Sequence, residues 1–179
     1  MLQPRIPYDV TLSRGHLDQC RAEVENRAKN AGSMKARGNN YDEEKFSQRE
    51  ADFVGAMGEL ATSFFTGLRH HFGEPYRANV ADVGLIEVRT RTLGKTPILR
   101  IYESDPHPIT LLATIRQLSD DGAVVRLHGW CFTQIGWSYG RQVGKHWKKG
   151  VQYALDETFL RPMDTLSREH QLAERFYQS

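Results

Sequence analysis

The first residues contain Pro4 and Pro7 and are expected to be extended. From Thr11 to about Asn30 the apolar positions Leu12, Leu17, Cys20 and Val24 recur among many charges. Steps of three and four residues place side chains on one side of a helix, so this stretch predicts a polar helix with a thin apolar stripe. Such a helix leans on the body of its own chain or on a partner, and serves equally well as a dimerisation arm. Gly32 to Tyr41, rich in glycine and asparagine, reads as a linker. Ser47 and Glu50 then have the spacing of a capping box. The helix predicted from there runs to about Thr66 and stops at Gly67. Phe53, Met57, Leu60 and Phe64 form its expected buried stripe.

After Gly67 the hydrophobic period shortens to that of strands. Tyr76 to Ala81, Leu85 to Thr92, Ile98 to Glu103, Ile109 to Ile115, Ala123 to Cys131 and Val151 to Leu155 are the strand candidates. Turns at Val83-Gly84, Gly94 to Pro97, Ser104 to Pro108 and Asp120-Asp121-Gly122 separate them. Asp164 is placed to cap a last helix reaching about Arg175. A helix followed by strands with mostly hairpin-length connections predicts an α+β domain with an antiparallel-rich, mixed sheet. The expected division is an N-terminal helical arm and linker over residues 1–46, then the main domain over 47–179.

Composition changes this picture little. A chain of 179 residues suffices for one domain with a proper core. Its formal net charge of +2 does not by itself argue for nucleic acid. Local distribution says more: Arg141, Lys145, Lys148 and Lys149 lie around Trp147 in a stretch without an acidic residue. Lys and Arg on one element neutralise phosphates and release counterions, so these five residues and Arg91 are candidate DNA contacts. A solvated basic face is the plainer alternative. Trp130, Trp137 and Trp147 are candidates for base stacking, although Trp130, inside an apolar strand, reads better as core. Cys20 and Cys131 have no metal-ligand spacing and are expected to be free thiols in a reducing compartment. No signal peptide is evident and no apolar run approaches the roughly 18 residues of a membrane span, so a cytoplasmic protein is expected.

The candidate chemistry gathers at Asp82 to Arg89. In a strand, alternate side chains share a face, so Glu87 and Arg89 point one way and Ile86 and Val88 the other. Burial accounts for the apolar face; the charged face lacks a job unless something binds there. Asp82, just before the turn, is close enough to join Glu87. Two carboxylates beside a cation suit a divalent metal and a phosphodiester: Mg²⁺ or Mn²⁺ on Asp82, Glu87 and the Val88 carbonyl, with Arg89 on a phosphate oxygen. On its helix alone, Glu59 reads as a solvated carboxylate off the buried stripe. Its neighbours Gly55, Ala56, Thr62 and Ser63 are all small, which lets another element come close. His70 and His71 point apart, His107 reads as turn surface, and Asp105 as the residue that sets the turn before Pro106. The alternative reading of Glu103 and Asp105 is that they assist the site.

A helical Glu, then Asp, a short gap and Glu-x-basic on a strand resembles the PD-(D/E)XK nuclease superfamily. The stretch from Gly58-Glu59-Leu60-Ala61 through Asp82, Glu87 to Thr90, Leu99 to Asp105 and Leu127 to Trp130 is similar to small phage and prophage proteins of that superfamily. Tyr153-Ala154-Leu155 and Leu160 to Met163 fit the same picture. The resemblance covers about residues 47 to 166. It implies a restriction-endonuclease-like core, a central mixed sheet flanked by helices. It also implies metal ligation by Asp82 and Glu87, a supporting Glu59, and Arg89 at the lysine position. The expected activity is metal-dependent hydrolysis of DNA, in a host cytoplasm if phage-encoded and with a homodimer as one arrangement. Ala81 stands where the family has proline, and Arg89 where it has lysine. Arginine stays charged, so a general-base role for Arg89 is excluded. The rivals are a DNA- or protein-binding module of this fold without the chemistry, and an interaction factor, such as a phage inhibitor of a host enzyme, that works through the N-terminal arm.

Overall fold

In the computed structural model, residues 7–31, 48–71, 80–92, 94, 96–146 and 150–177 are described. The element that organises the rest is β4 (Ile109–Ser119), whose first seven residues are all buried. A strand covered on both faces reads as a continuous apolar run rather than an alternating one, and Ile109 to Ile115 is such a run. The Asp120-Asp121 turn folds β4 back onto β5 (Gly122–Phe132) as an antiparallel hairpin. β5 pairs on its other side with β1 (Tyr8–Ser13), and β4 pairs in parallel with β2 (Ile86–Arg91). The resulting four-stranded mixed sheet has the order β1-β5-β4-β2. A second, antiparallel sheet holds β3 (Ile98–Tyr102), β7 (Gly150–Asp156) and β6 (Arg141–His146) in the order β3-β7-β6.

Helices α1 (Arg14–Ala31) and α2 (Gln48–Thr66) accompany the first sheet, α4 (Leu166–Tyr177) adds Leu166 and Ala173 to the same core, and the short α3 (Thr133–Tyr139) accompanies the second sheet. Leu17 and Cys20 of α1, Met57 and Leu60 of α2, and Leu111 and Ala113 of β4 meet in the larger core. Leu112 and Cys131, on the opposite face of the same sheet, join Leu99, Ile101 and Leu155 in the smaller one. Each fully buried leucine or isoleucine contributes roughly 1.5–3 kcal/mol of transfer free energy, so the two-sided burial of β4 is a main source of stability. The class is α+β, with four helices and two sheets among the described residues.

Several expectations change. Thr11 to Ser13 is strand rather than helix, because β1 pairs with β5 from Tyr8↔Leu127 to Ser13↔Gly122. α1 leans on its own chain, against α2. The strands form two sheets, not one, since β2 and β3 do not pair; the chain passes through β3 on its way from β2 to the parallel β4. Parallel neighbours cannot be joined by a tight turn, which is why the hairpin reading failed there. The buried face of α2 is Val54, Ala56, Met57, Leu60 and Ala61. Phe64 is 47% exposed and lies edge-on to His16. Phe132 to Gly150 contains α3 and β6. Gly67 does end α2, with φ +70° and its N–H donating to Ser63. Both cysteines are free and buried, and burial pushes each thiol up to about 12. Ser47, the linker Gly32 to Tyr41 and all but the end of the Tyr76 to Ala81 candidate lie outside the described residues.

Candidate functional site

Gly58 is what brings the helix to the strand. A β-carbon there would fall 1.8 Å from Thr90 Oγ1, so only glycine lets α2 lie this close to β2. That contact carries the next residue, Glu59, inward. Glu59 is 5% exposed, not solvated as the helix alone suggested. Arg27 donates to both its oxygens, at 3.2 and 2.6 Å, and His70 Nε2 lies 2.8 Å from Oε2. Arg27 also reaches Glu23, one turn back on α1. Burial alone would raise the Glu59 pKa, but the hydrogen bonds and charges of His70 and Arg27 hold it below the ordinary value. Glu23 moves the other way, because its desolvation outweighs Arg27 and Glu59 repels it. One oxygen of Glu23 is buried without a hydrogen-bond partner.

Asp82 sits at the mouth of a tight turn. Val83 and Ile86 exchange backbone hydrogen bonds at 3.1 and 2.8 Å around Gly84, whose φ is +57°. From α4, His170 Nε2 accepts the Leu85 N–H at 3.1 Å and holds the turn; a β-carbon on Gly84 would strike that nitrogen at 2.6 Å. So held, Asp82 Oδ2 accepts the N–H of Val88 at 2.8 Å. β2 is the edge strand, and this amide therefore faces the free edge. N–H and C=O of one strand residue point the same way, so the Val88 carbonyl faces that edge too. Desolvation, with the charges of Glu59 and Glu87, raises the Asp82 pKa well above its usual value, against the opposing pull of the Val88 amide and Arg89.

Glu87 and Arg89 share a face of β2, as the alternation predicted, and meet at 3.0 Å. Arg89 also donates to Asp105 at 2.7 Å and lies 5.6 Å from the Tyr102 ring centre. Burial works against its charge, but Glu87 and Asp105 outweigh burial and keep Arg89 protonated. Asp105 does set its turn, accepting the Tyr102 N–H at 2.8 Å, and spends its other oxygen on Arg89. His107 is not turn surface: its side chain is 12% exposed and Nε2 lies 3.5 Å from Glu87. Burial lowers the His107 pKa despite Glu87 and Asp105, so the ring is neutral at pH 7.

Glu59, Asp82, Glu87 and Arg89 are thus brought together, with Val88 at the same edge. Arg91, one alternation further along β2, is half-buried and donates to the Ile98 carbonyl at 3.3 Å. Arg141 and Lys145 are exposed on β6, at the edge of the second sheet. Trp147, Lys148 and Lys149 lie outside the described residues. Trp130 is fully buried, as its strand context indicated.

Sequence reasoning missed Glu23, Arg27 and His70. Glu23 carried a signal, since it falls on the stripe of Leu17, Cys20 and Val24, where a carboxylate has to find a partner. Ligand atoms of Glu23, Glu59 and His70 lie within 4.8 Å of one another, so this buried group could hold a metal ion. No family model matches the sequence, and no curated protein or solved structure is detectably similar to it.

Proposed function

We propose that this protein is a metal-dependent nuclease of the PD-(D/E)XK kind that hydrolyses DNA phosphodiester bonds at the free edge of β2. The observation that carries the reading is the surplus of negative charge at that edge. Burial and the charges of Glu59 and Glu87 raise the Asp82 pKa, against the Val88 amide and one opposing cation, Arg89. A hard divalent cation relieves such a surplus and prefers this donor set of carboxylates with a carbonyl. Asp82, Glu87 and the Val88 carbonyl would hold Mg²⁺ or Mn²⁺, which when bound makes a water more acidic and neutralises charge on a phosphate.

The chain's own residues supply the rest. Arg89 is aimed by Glu87 on one side and Asp105 on the other, and stabilises charge on a non-bridging oxygen. It stays charged throughout, so it positions and stabilises but does not take a proton. Glu59, fixed by Arg27 and His70, keeps its negative charge and adds to the field at Asp82. Arg141 and Lys145 serve phosphates away from the scissile one.

A second reading is a DNA-binding module of this fold without the chemistry. One observation favours it: both oxygens of Glu59 are already taken by Arg27 and His70. A single variant separates the two. Under hydrolysis, Asp82→Asn cuts linear and single-stranded DNA at least about 100-fold more slowly than wild type in Mg²⁺, the scale for losing one stabilising group. Under binding alone, no variant or wild type cuts, and Asp82→Asn binds DNA as well or better, because a repelling charge is gone. Calorimetric titration with Mn²⁺ locates the ion. Binding lost in Asp82→Ala/Glu87→Ala and kept in His70→Gln places it at the strand edge; the reverse places it at Glu23, Glu59 and His70.

A further inference from the structure

A cavity of about 350 Å³ opens beside the strand edge. Asp105 and His107 form the side next to the site, and Phe132, Gln134, Ile135 and Trp137 are among the residues of the other walls. The two shared residues make the cavity continuous with the site, since Asp105 accepts from Arg89 at 2.7 Å and His107 lies 3.5 Å from Glu87. Its volume is at the low end of the roughly 300–1,000 Å³ range of ligand pockets, which admits one flat ring system and excludes a duplex.

The walls say what kind of ring. Phe132, Ile135 and Trp137 are apolar, and the indole N–H of Trp137 is already spent on the Tyr102 carbonyl at 3.0 Å, which fixes the ring and leaves its carbon surface to the cavity. Both Asp105 oxygens are engaged, by Arg89 and by the Tyr102 amide. No lysine or arginine is among its described lining residues, so the cavity offers a phosphate little to hold it. Gln134, exposed, offers an amide that can pair with the edge of a base. Apolar and aromatic walls beside a phosphate-binding edge suit the π-face of a nucleobase, and a base reaches such a wall only when it is out of its duplex stack.

We propose that this cavity takes an unpaired nucleobase of the substrate strand, so that the protein acts on single-stranded or locally unpaired DNA. The inference rests on the reading of Asp82, Glu87 and Arg89 as the place of the phosphate. The test compares a thymidine oligomer of about ten nucleotides, a length typical of single-strand sites, with a fully abasic oligomer of equal length. Both carry the same phosphates. Affinity is read by fluorescence anisotropy in Ca²⁺, and cleavage separately in Mg²⁺. The wild type is expected to bind the thymidine oligomer about tenfold more tightly than the abasic one, as stacking of a base or two requires. Ile135→Asp places a carboxylate on the apolar wall at a side chain that is 49% exposed, where folding is spared. It should reduce the ratio to about one; the ratio is the readout, because the added charge weakens all phosphate binding. Equal affinity of the wild type for both oligomers, or a ratio that survives Ile135→Asp, overturns the proposal. Base-dependent binding without cleavage overturns hydrolysis and leaves the cavity assigned. Cleavage with base-independent binding does the opposite.

Discussion

Two charged clusters reach Asp82, one from the helices and one from the strand edge. On the helix side Glu23, Arg27, Glu59 and His70 are packed into a nearly closed knot; Glu59 and His70 are 5% and 7% exposed. On the strand side Glu87, Arg89, Asp105 and His107 form a chain of contacts that borders an open cavity. In the first, Arg27 meets both carboxylates and His70 meets Glu59 as well. In the second the single guanidinium faces Glu87 and Asp105 as well as the charge of Asp82. The difference teaches a division of labour: the closed cluster fixes where α2 carries its carboxylate, and the open one is where the proposed cation and substrate would meet the protein.

The sharpest way to break that division is to remove one carboxylate from each cluster. Glu59→Ala takes a shared carboxylate from part-buried Arg27, which keeps Glu23, and from buried His70, and breaking a buried pair typically costs about 3–5 kcal/mol. Glu87→Ala leaves Arg89 paired with Asp105, and losing one contact of a part-exposed pair costs about 1 kcal/mol or less. Urea unfolding of both variants reads the contrast. A larger loss for Glu87→Ala than for Glu59→Ala would reverse the roles given to the clusters.

A smaller effect tests how the helix-side cluster is placed. Gly58→Ala forces a methyl into Thr90, whose hydroxyl has no hydrogen-bond partner to lose. Overpacking of this kind costs about 1–3 kcal/mol. Thr90→Ala in the same chain should recover much of it, because the clash is with that side chain. The pair should also recover activity, if the distance from α2 to β2 sets the position of Glu59. Failure of Thr90→Ala to rescue would mean that the β-strand backbone, not Thr90, sets the closest approach.

What the sequence could show of this follows from range. Glu87 and Arg89 were legible because strand alternation is local, and Gly67 because a helix stop is local. The continuous apolar run of β4 pointed to a strand, though not to which elements cover its two faces. Burial of Glu59 was not legible, because Arg27 and His70 stand 32 and 11 residues away and no short-range pattern ties them to it. Its small neighbours hinted at close approach without saying of what. Asp105 was legible as a turn-former, but its bond to Arg89 spans 16 residues. The parallel pairing of β2 with β4 was hidden for the same reason, since the turn signals on either side of β3 do not tell a hairpin from a crossover through another sheet.

The smallest expected effect is in the pH dependence of stability, and it should have opposite signs in the two clusters. The Glu59 pKa lies below its ordinary 4.5 in the folded protein. Its contribution is therefore present above 4.5 and lost as pH falls through the folded value. Asp82 lies well above its ordinary 3.8. Its protonated form is the one the fold prefers, so that stability is complete below 3.8 and is lost as pH rises through the raised folded value. Asp82→Asn keeps the shape and cannot ionise. Its urea midpoint should match wild type below 3.8 and exceed it at pH 7, while Glu59→Gln should fall furthest behind wild type at pH 7 and converge with it in acid. Saturating Mn²⁺ at pH 7 should close the gap between wild type and Asp82→Asn, because an ion that binds only the folded wild type adds the stability that the repelling carboxylate removes. A gap that stays open with Mn²⁺ would mean that the surplus charge at Asp82 is not there for a cation.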